Sequence, residues 1–335
     1  MTPDLPPALR LAADRLLEGV ARKGLAERAT KISEAYRAGR TSAGVVADQA
    51  DATAYVLARL PATYAACARA FAEAADRVPD FAPASLLDAG AGPGGAGWAA
   101  LQTWRSLQTA TLLDSNRAFL DMAEGLATEG PAPLRGAARL RADLAAPQAD
   151  WPRADLVIAS YALAEIHKDR QAQTVAALWD ACEGLMVLVE PGSTEGWRRI
   201  LAARDQVIAA GGHILAPCAH ALACPLTGPD AATGDWCHFS QRLPRSRDHR
   251  LAKGGDAPFE DEKFIYLAAA RPQLSVAPGG PRILSPPRAA KPGLTFKLCT
   301  PQGRLEARAV AKRDKAAFAQ ARRADWGDTL PTPEA

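Results

Sequence analysis

The sequence predicts an α/β fold built on a doubly wound sheet, and three observations carry that prediction. From Ala84 onward, short apolar runs alternate with helical stretches. The runs are continuous rather than alternating in polarity, as strands covered by helices on both faces must be. The first run also ends in a glycine-rich turn, Ala89-Gly90-Ala91-Gly92-Pro93-Gly94-Gly95, with a helix behind it.

Residues 1–80 read as an N-terminal helical region. LRLAADRLLEGVARKGLAERATKISEAYRAG and ATAYVLARLPATYAACARAFAEAADRV both repeat apolar residues at helical spacing. VPDFAP marks the boundary to a central domain, 81–271. There SLLDAG, TATLLDS, RLRAD, DLVIASYAL, LMVLVEPG, HILAPC and KFIYLAAAR read as strands. GAGWAALQTW, RAFLDMAEGLA, RQAQTVAALWDAC and GWRRILAARDQVIAAG read as the helices between them. The segment 218–262 has little periodicity, which marks a functional insertion. After Arg271, SVAPGGPRILSPPRAAKPG reads as a linker or extended arm, LTFKLCT and GRLEARAVAK as a hairpin, and RDKAAFAQARRADW as a basic helix. Residues 272–335 thus form a C-terminal extension.

The glycine turn fits two templates. Gly90, Gly92 and Gly95 satisfy the dinucleotide pattern G-x-G-x-x-G, whereas Asp88, Gly90, Gly92 and Gly94 satisfy the methyltransferase-type D-x-G-x-G-x-G. Asp114 ends the second strand, where a carboxylate accepts ribose hydroxyls under either template. Asp143 follows the third strand, where similar methyltransferases place an acid near an adenine amino group. Asp88 suits a cationic sulfonium better than a pyrophosphate. These neighbours favour S-adenosylmethionine over a nicotinamide cofactor. After the fourth strand the chain reads Ala159-Ser160-Tyr161-Ala162, without the Asn-Pro-Pro-aromatic string of many amino-methylating enzymes. Tyr161, Glu165 and His167 are the nearest polar groups, and no catalytic residue is assigned.

Cys67 and Cys182 lie in helical apolar contexts and read as buried thiols. Cys218, Cys224 and Cys237 fall in the aperiodic insertion, and Cys299 lies far downstream. Four thiolates brought together from loops suit zinc or an iron–sulfur cluster, with His220 and His238 as alternative ligands. The spacing alone does not choose between the metals.

Charge is unevenly spread. Residues 1–238 hold 22 Lys/Arg against 27 Asp/Glu, and residues 239–335 hold 18 against 10. A basic end on an acidic body points to a polyanionic partner. No run is long enough to span a bilayer. The first residues lack a signal pattern, and Asp4, Asp14 and Glu18 argue against a transit peptide, so a cytoplasmic protein that does not enter membranes is expected.

Together YRAGRTS, LARLPATYAA, LLDAGAGPGGAGWAA, SYALAEI, VLVEPG, ILAPCAHALACPLTG, DWCHFSQRLPRSRDHR, KFIYLA, LCTPQGRLEARAV and ARRADWGD make the chain resemble a known family from about residue 36 to 328. It is the methyltransferase-like family of small-ribosomal-subunit assembly factors of bacteria and mitochondria. The resemblance implies a Rossmann-like methyltransferase sheet and a [4Fe–4S] cluster on Cys218, Cys224, Cys237 and Cys299. It further implies contact with small-subunit ribosomal RNA, whether or not the fold turns over. Arg242, Arg245, Arg247, Arg250 and Lys253 follow the cysteines with only Asp248 among them, and are the expected phosphate contacts of a monomer. Trp236, His238 and Phe239 are candidates to stack on unpaired bases. A pure assembly factor without chemistry, and a small-molecule methyltransferase with structural zinc, are the alternatives.

Overall fold

The apolar runs pair into one sheet of eight strands in the computed structural model, which describes residues 4–20, 22–37, 41–147, 151–229, 231–253 and 256–330. The strands are β1 (Ser85–Ala89), β2 (Thr109–Asp114), β3 (Ala138–Arg141), β4 (Ala154–Ser160), β5 (Cys182–Pro191), β6 (His213–Ala216), β7 (Phe239–Pro244) and β8 (Phe259–Ala270). Their order is β3-β2-β1-β4-β5-β8-β6, with β7 paired to β8. β1 through β5 run parallel, and β8 lies antiparallel between β5 and β6. The order reverses between β1 and β4, and a crevice opens at the C-terminal ends of these strands, where doubly wound sheets bind ligands.

Helices cover both faces. α5 (Gly95–Thr103) and α6 (Arg117–Ala127) follow β1 and β2, α7 (Ala132–Arg135) precedes β3, and α8 (Lys168–Ala181) and α9 (Thr194–Ala209) flank β5. α6 shows why these segments are helical. Asn116 caps it by accepting from the Ala118 N–H at 2.9 Å, and Phe119, Leu120, Met122, Ala123 and Leu126 bury one face.

The N-terminal helices are α1 (Pro7–Arg15), α2 (Arg22–Arg37), α3 (Gln49–Ala58) and α4 (Leu60–Ala75). α4 packs on α5 and across β8, and Leu9, Ile32, Leu60 and Phe71 join the same hydrophobic core as the sheet. The expected boundary at residue 81 is therefore a change of pattern within one core. Cys67 and Cys182 are buried in that core, as expected.

The insertion is more regular than its sequence suggests. β7 forms a ladder with the first half of β8, and the short helix α10 (Arg247–Lys253) packs on α2 and α3. The 272–292 segment is likewise not a loose arm. It contains β9 (Arg282–Ile283) and β10 (Arg288–Ala290), which pair with β11 (Gly293–Cys299), itself paired with β12 (Leu305–Ala311). Arg77 and Ala277 exchange two bonds of 2.8 Å, Arg77 Nε to the Ala277 carbonyl and the Ala277 N–H to the Arg77 carbonyl. Arg282 is buried, donates to the carbonyls of Pro217 at 3.0 Å and Gly327 at 2.6 Å, and pairs with Glu73. A second small core forms where α11 (Lys315–Ala321) covers one sheet face, around Ile283, Phe296, Leu298, Ala321 and Leu330.

Candidate functional site

Two sites emerge, one at the switch point and one beneath the insertion. At the switch point the chain leaves β1 through Gly90, Gly92 and Gly94, with φ of +72°, +53° and +83°. These left-handed conformations favour glycine. At Gly90 a β-carbon would stand 2.6 Å from that of Ala162. The turn borders a cavity of about 350 Å³ lined by Gly90, Gly92, Asp114 and Asp143, together with Phe119, Ser160, Tyr161 and Glu165.

Asp114 is buried beside this cavity and takes two backbone donors, Gly92 N–H and Asn116 N–H, at 2.8 Å each. Burial pushes its carboxyl up, against the lowering effect of those bonds. Each carboxylate oxygen keeps a lone pair for a further donor from the cavity side. Asp143 is exposed at the cavity rim and accepts from the Ala145 N–H at 2.8 Å.

Asp88 and Gly94, expected to hold the cofactor, are not among the residues that line this cavity. Asp88 is fully buried beneath α5 and accepts from the Gly97 N–H at 3.0 Å, while its other oxygen has no hydrogen-bond partner. Burial pushes its carboxyl up to about 7. Gly94 sits at the N-cap of that helix.

Sequence reasoning underrated the surroundings of Tyr161. It is the non-glycine residue with positive φ, 58°, among those described. Its hydroxyl donates to Glu262 at 2.8 Å, and the Arg59 guanidinium lies over its ring at 5.9 Å and 3.3 Å from the same carboxylate. Burial raises the phenol well above its ordinary value, and the Glu262 charge adds to this. Glu165 accepts from the Ser42 N–H at 2.7 Å, joining the N-terminal region to the cavity wall. His167 is exposed next to Asp169 and takes no part in the lining.

The second site gathers the four cysteines. Cys218 follows β6, Cys224 and Cys237 come from the insertion, and Cys299 ends β11, yet all four line one largely apolar cavity. Burial raises every one of these thiols, Cys299 to about 12, and each of Cys237 and Cys299 is raised further by its neighbouring sulfurs. Arg204, on α9, is buried against the cavity. It donates to the carbonyls of His220 at 3.0 Å and Leu222 at 2.6 Å, holding the loop between Cys218 and Cys224, while its Nε has no partner. His220 places Nε2 3.4 Å from the Cys299 sulfur. This donor set fits a thiolate-held group: four sulfurs lining one cavity, a buried cation and an unpaired N–H beside them. Among the described residues, no group of three or more His, Cys, Asp or Glu is spaced to hold a metal ion as it stands.

The expected phosphate contacts fare unevenly. Arg242 is clamped by Asp261 at 2.8 Å through two nitrogens and lies 4.1 Å over the Phe259 ring. Arg245 reaches Glu260 at 2.7 Å, Lys253 pairs with the same carboxylate, and His249 Nε2 lies 3.5 Å from it. The Arg245 and Lys253 side chains are only 16% and 17% exposed. Arg247 is exposed and Arg250 half-buried. Of the stacking candidates, Phe239 is core, and Trp236 and His238 stack on each other at 4.8 Å, with Trp326 against His238.

Comparison with known proteins gives this geometry a family. The human mitochondrial ribosome assembly protein METTL17 is 31% identical over 299 residues, covering 84% of this chain and 63% of its own length. A fission-yeast Rsm22-cox11 tandem protein is 27% identical over 219 residues, covering 52% of this chain and 29% of that protein. The chain therefore spans less than two thirds of either relative. Among solved structures, the magnesium protoporphyrin IX methyltransferase of Synechocystis matches 63% of the chain and 80% of its own, at 16% identity and a TM-score of 0.38. The family model described as mitochondrial small ribosomal subunit Rsm22 matches residues 49–331. The chain belongs to this family, described as mitochondrial small ribosomal subunit Rsm22.

Proposed function

We propose that this protein assists assembly of the small ribosomal subunit, binding S-adenosylmethionine at the switch point and a [4Fe–4S] cluster on Cys218, Cys224, Cys237 and Cys299. The observation that carries the reading is the convergence of three cysteines of the insertion and the distant Cys299 on one largely apolar cavity in a chain of this family. Thiolate ligation would release four protons from thiols that burial holds protonated, and would join the insertion and β11 to the main sheet. When bound, such a cluster supplies a rigid cross-link and a redox-active centre.

At the switch point, Asp114 would orient the ribose, Asp143 would face the adenine edge, and Gly90 and Gly92 would let the backbone approach the ligand. Bound S-adenosylmethionine supplies an electrophilic methyl group. A second reading, in which the ligand serves binding and not turnover, is favoured by Tyr161. Its hydroxyl is already committed to Glu262, and its neighbour Arg59 holds that carboxylate.

The test is sedimentation. In gradients of cell extract the tagged protein should travel with small-subunit precursors, and its depletion should lower the ratio of small to large subunits. An unchanged ratio after full depletion would end the assembly reading. Methyl transfer from labelled S-adenosylmethionine to small-subunit RNA separates turnover from binding alone. The same reading has the chain acting as a cytoplasmic monomer. Gel filtration checks the oligomeric state, and cell fractionation chooses between the cytoplasm and the mitochondrial setting in the relatives' names.

A further inference from the structure

The basic charge of the C-terminal third is not distributed as its sequence suggests. Three of the five basic residues between Arg242 and Lys253 are neutralised by Glu260 and Asp261. In the C-terminal sheet, by contrast, Arg282, Lys297 and Arg308 pair with Glu73, Asp235 and Glu306. Arg288, Lys291, Lys312 and Arg313 are exposed, and none has an acidic partner among the described residues.

Register shows that these four belong together. Arg288 stands opposite Thr295, and Thr295 opposite Ala309, so the three side chains share one face. That face continues with Ala290 and Ala307, all exposed, whereas α11 covers the other. Lys291 lies in the turn between β10 and β11, and the Lys312 N–H donates to the Pro292 carbonyl at 2.8 Å, joining both turns at one end of the sheet. Arg313 follows directly. The nearby acids are already engaged: Asp235 pairs with Lys297, which stands opposite Ala307 on the open face, Glu306 lies on the covered face, bound by Arg308 at 2.7 Å, and Asp314 caps α11 through the Ala317 N–H. Small side chains on the open face allow a backbone to approach closely, and cations at its edge and end match a line of phosphates.

We propose that this open face and the turn end carrying Lys291, Lys312 and Arg313 take the sugar–phosphate backbone of small-subunit ribosomal RNA. The inference rests on the ribosomal reading above and supplies its contact surface. Arg288, Lys291, Lys312 and Arg313 make the phosphate contacts, and the β7–α10 bases serve mainly the fold.

The test compares the wild-type chain with Arg288→Gln/Lys291→Gln/Lys312→Gln/Arg313→Gln. Binding to deproteinised small-subunit RNA and to whole small subunits is measured from about 50 to about 200 mM salt. Loss of four phosphate contacts should flatten the log–log salt slope by about three units, so the wild type should lose ~60-fold more affinity than the variant across that range. The pairs Arg288→Gln/Lys291→Gln and Lys312→Gln/Arg313→Gln should each remove about half of the effect, which guards against misfolding of the quadruple variant. Arg322→Gln/Arg323→Gln, beyond α11, should change little. A quadruple variant that binds like a wild type that itself binds would overturn this surface and leave the ribosomal reading intact. Equal weakening per charge in the Arg322/Arg323 control would reduce the effect to net charge. Loss on whole subunits with retention on naked RNA would mean an acidic protein partner. A wild type that binds neither would take the ribosomal reading down as well.

Discussion

Glu260→Gln should destabilise the protein more than any other single change on the β7–α10 surface. The carboxylate is 11% exposed and pairs with Arg245 and Lys253 from the segment that packs on the N-terminal helices, with His249 Nε2 3.5 Å away. Burial alone would raise its carboxyl, but hydrogen bonds from His249 and Lys253 and the Lys253 charge outweigh that and hold it well below the usual carboxylate range. Removing the charge strands two mostly buried cations, and breaking a buried pair in this way costs about 3 kcal/mol. With an unfolding entropy of roughly 0.7 kcal/mol/K for a chain of this length, the midpoint should fall by ~4 °C. The pH dependence has a definite sign. A depressed folded value means the stabilisation is complete above the ordinary glutamate value of about 4.3 and is lost as pH falls toward the folded one. The gap between wild type and variant should therefore be constant from about pH 6 to 8 and narrow below about pH 4. Thermal melts at these pH values provide the assay. A variant that melts within about 1 °C of wild type at neutral pH would refute the claim that Glu260 organises this surface.

Three further outcomes follow from the two sites. Asp114→Ala should weaken S-adenosylmethionine binding ten- to a hundredfold by calorimetry, for loss of charge-assisted bonds of about 1.5–3 kcal/mol; unchanged affinity would remove Asp114 from the site. Gly90→Ala combines a φ of +72° with a β-carbon 2.6 Å from Ala162, so it should cost at least about 2 kcal/mol in chemical denaturation and abolish cofactor binding. Serine at Cys218, Cys224, Cys237 or Cys299 should lower bound iron, whereas Cys67→Ser and Cys182→Ser should leave it unchanged, since those thiols lie in the main core away from the cavity.

The central fold was legible because its strands are buried on both faces, which leaves continuous apolar runs such as LMVLVE that no amphipathic helix would show. β7 was not legible. It alternates, with Phe239, Gln241 and Leu243 inward and Arg242 outward, and half of its partner is the charged stretch Phe259-Glu260-Asp261-Glu262. The charges that neutralise Arg242 and Arg245 lie 19 and 15 residues away across a ladder, so a local count of acids could not find them. The glycine turn and Asp114 were readable because strand ends fix their position. The same motif could not tell that Asp88 faces α5, since spacing does not encode which side of the sheet a carboxylate meets. Cys299 joined the other cysteines through family resemblance, for its distance along the chain carries no pairing signal. The structure brings it to the same cavity through β11.

The most direct test of the account is the metal content of the intact chain, purified without oxygen. Four thiols around one cavity, steadied by Arg204 and His220, predict a brown protein with about four iron and four sulfide per chain. The colour and iron should be lost together in the Cys299→Ser variant. Stoichiometric zinc without iron, or a colourless metal-free protein that binds small subunits normally, would contradict it.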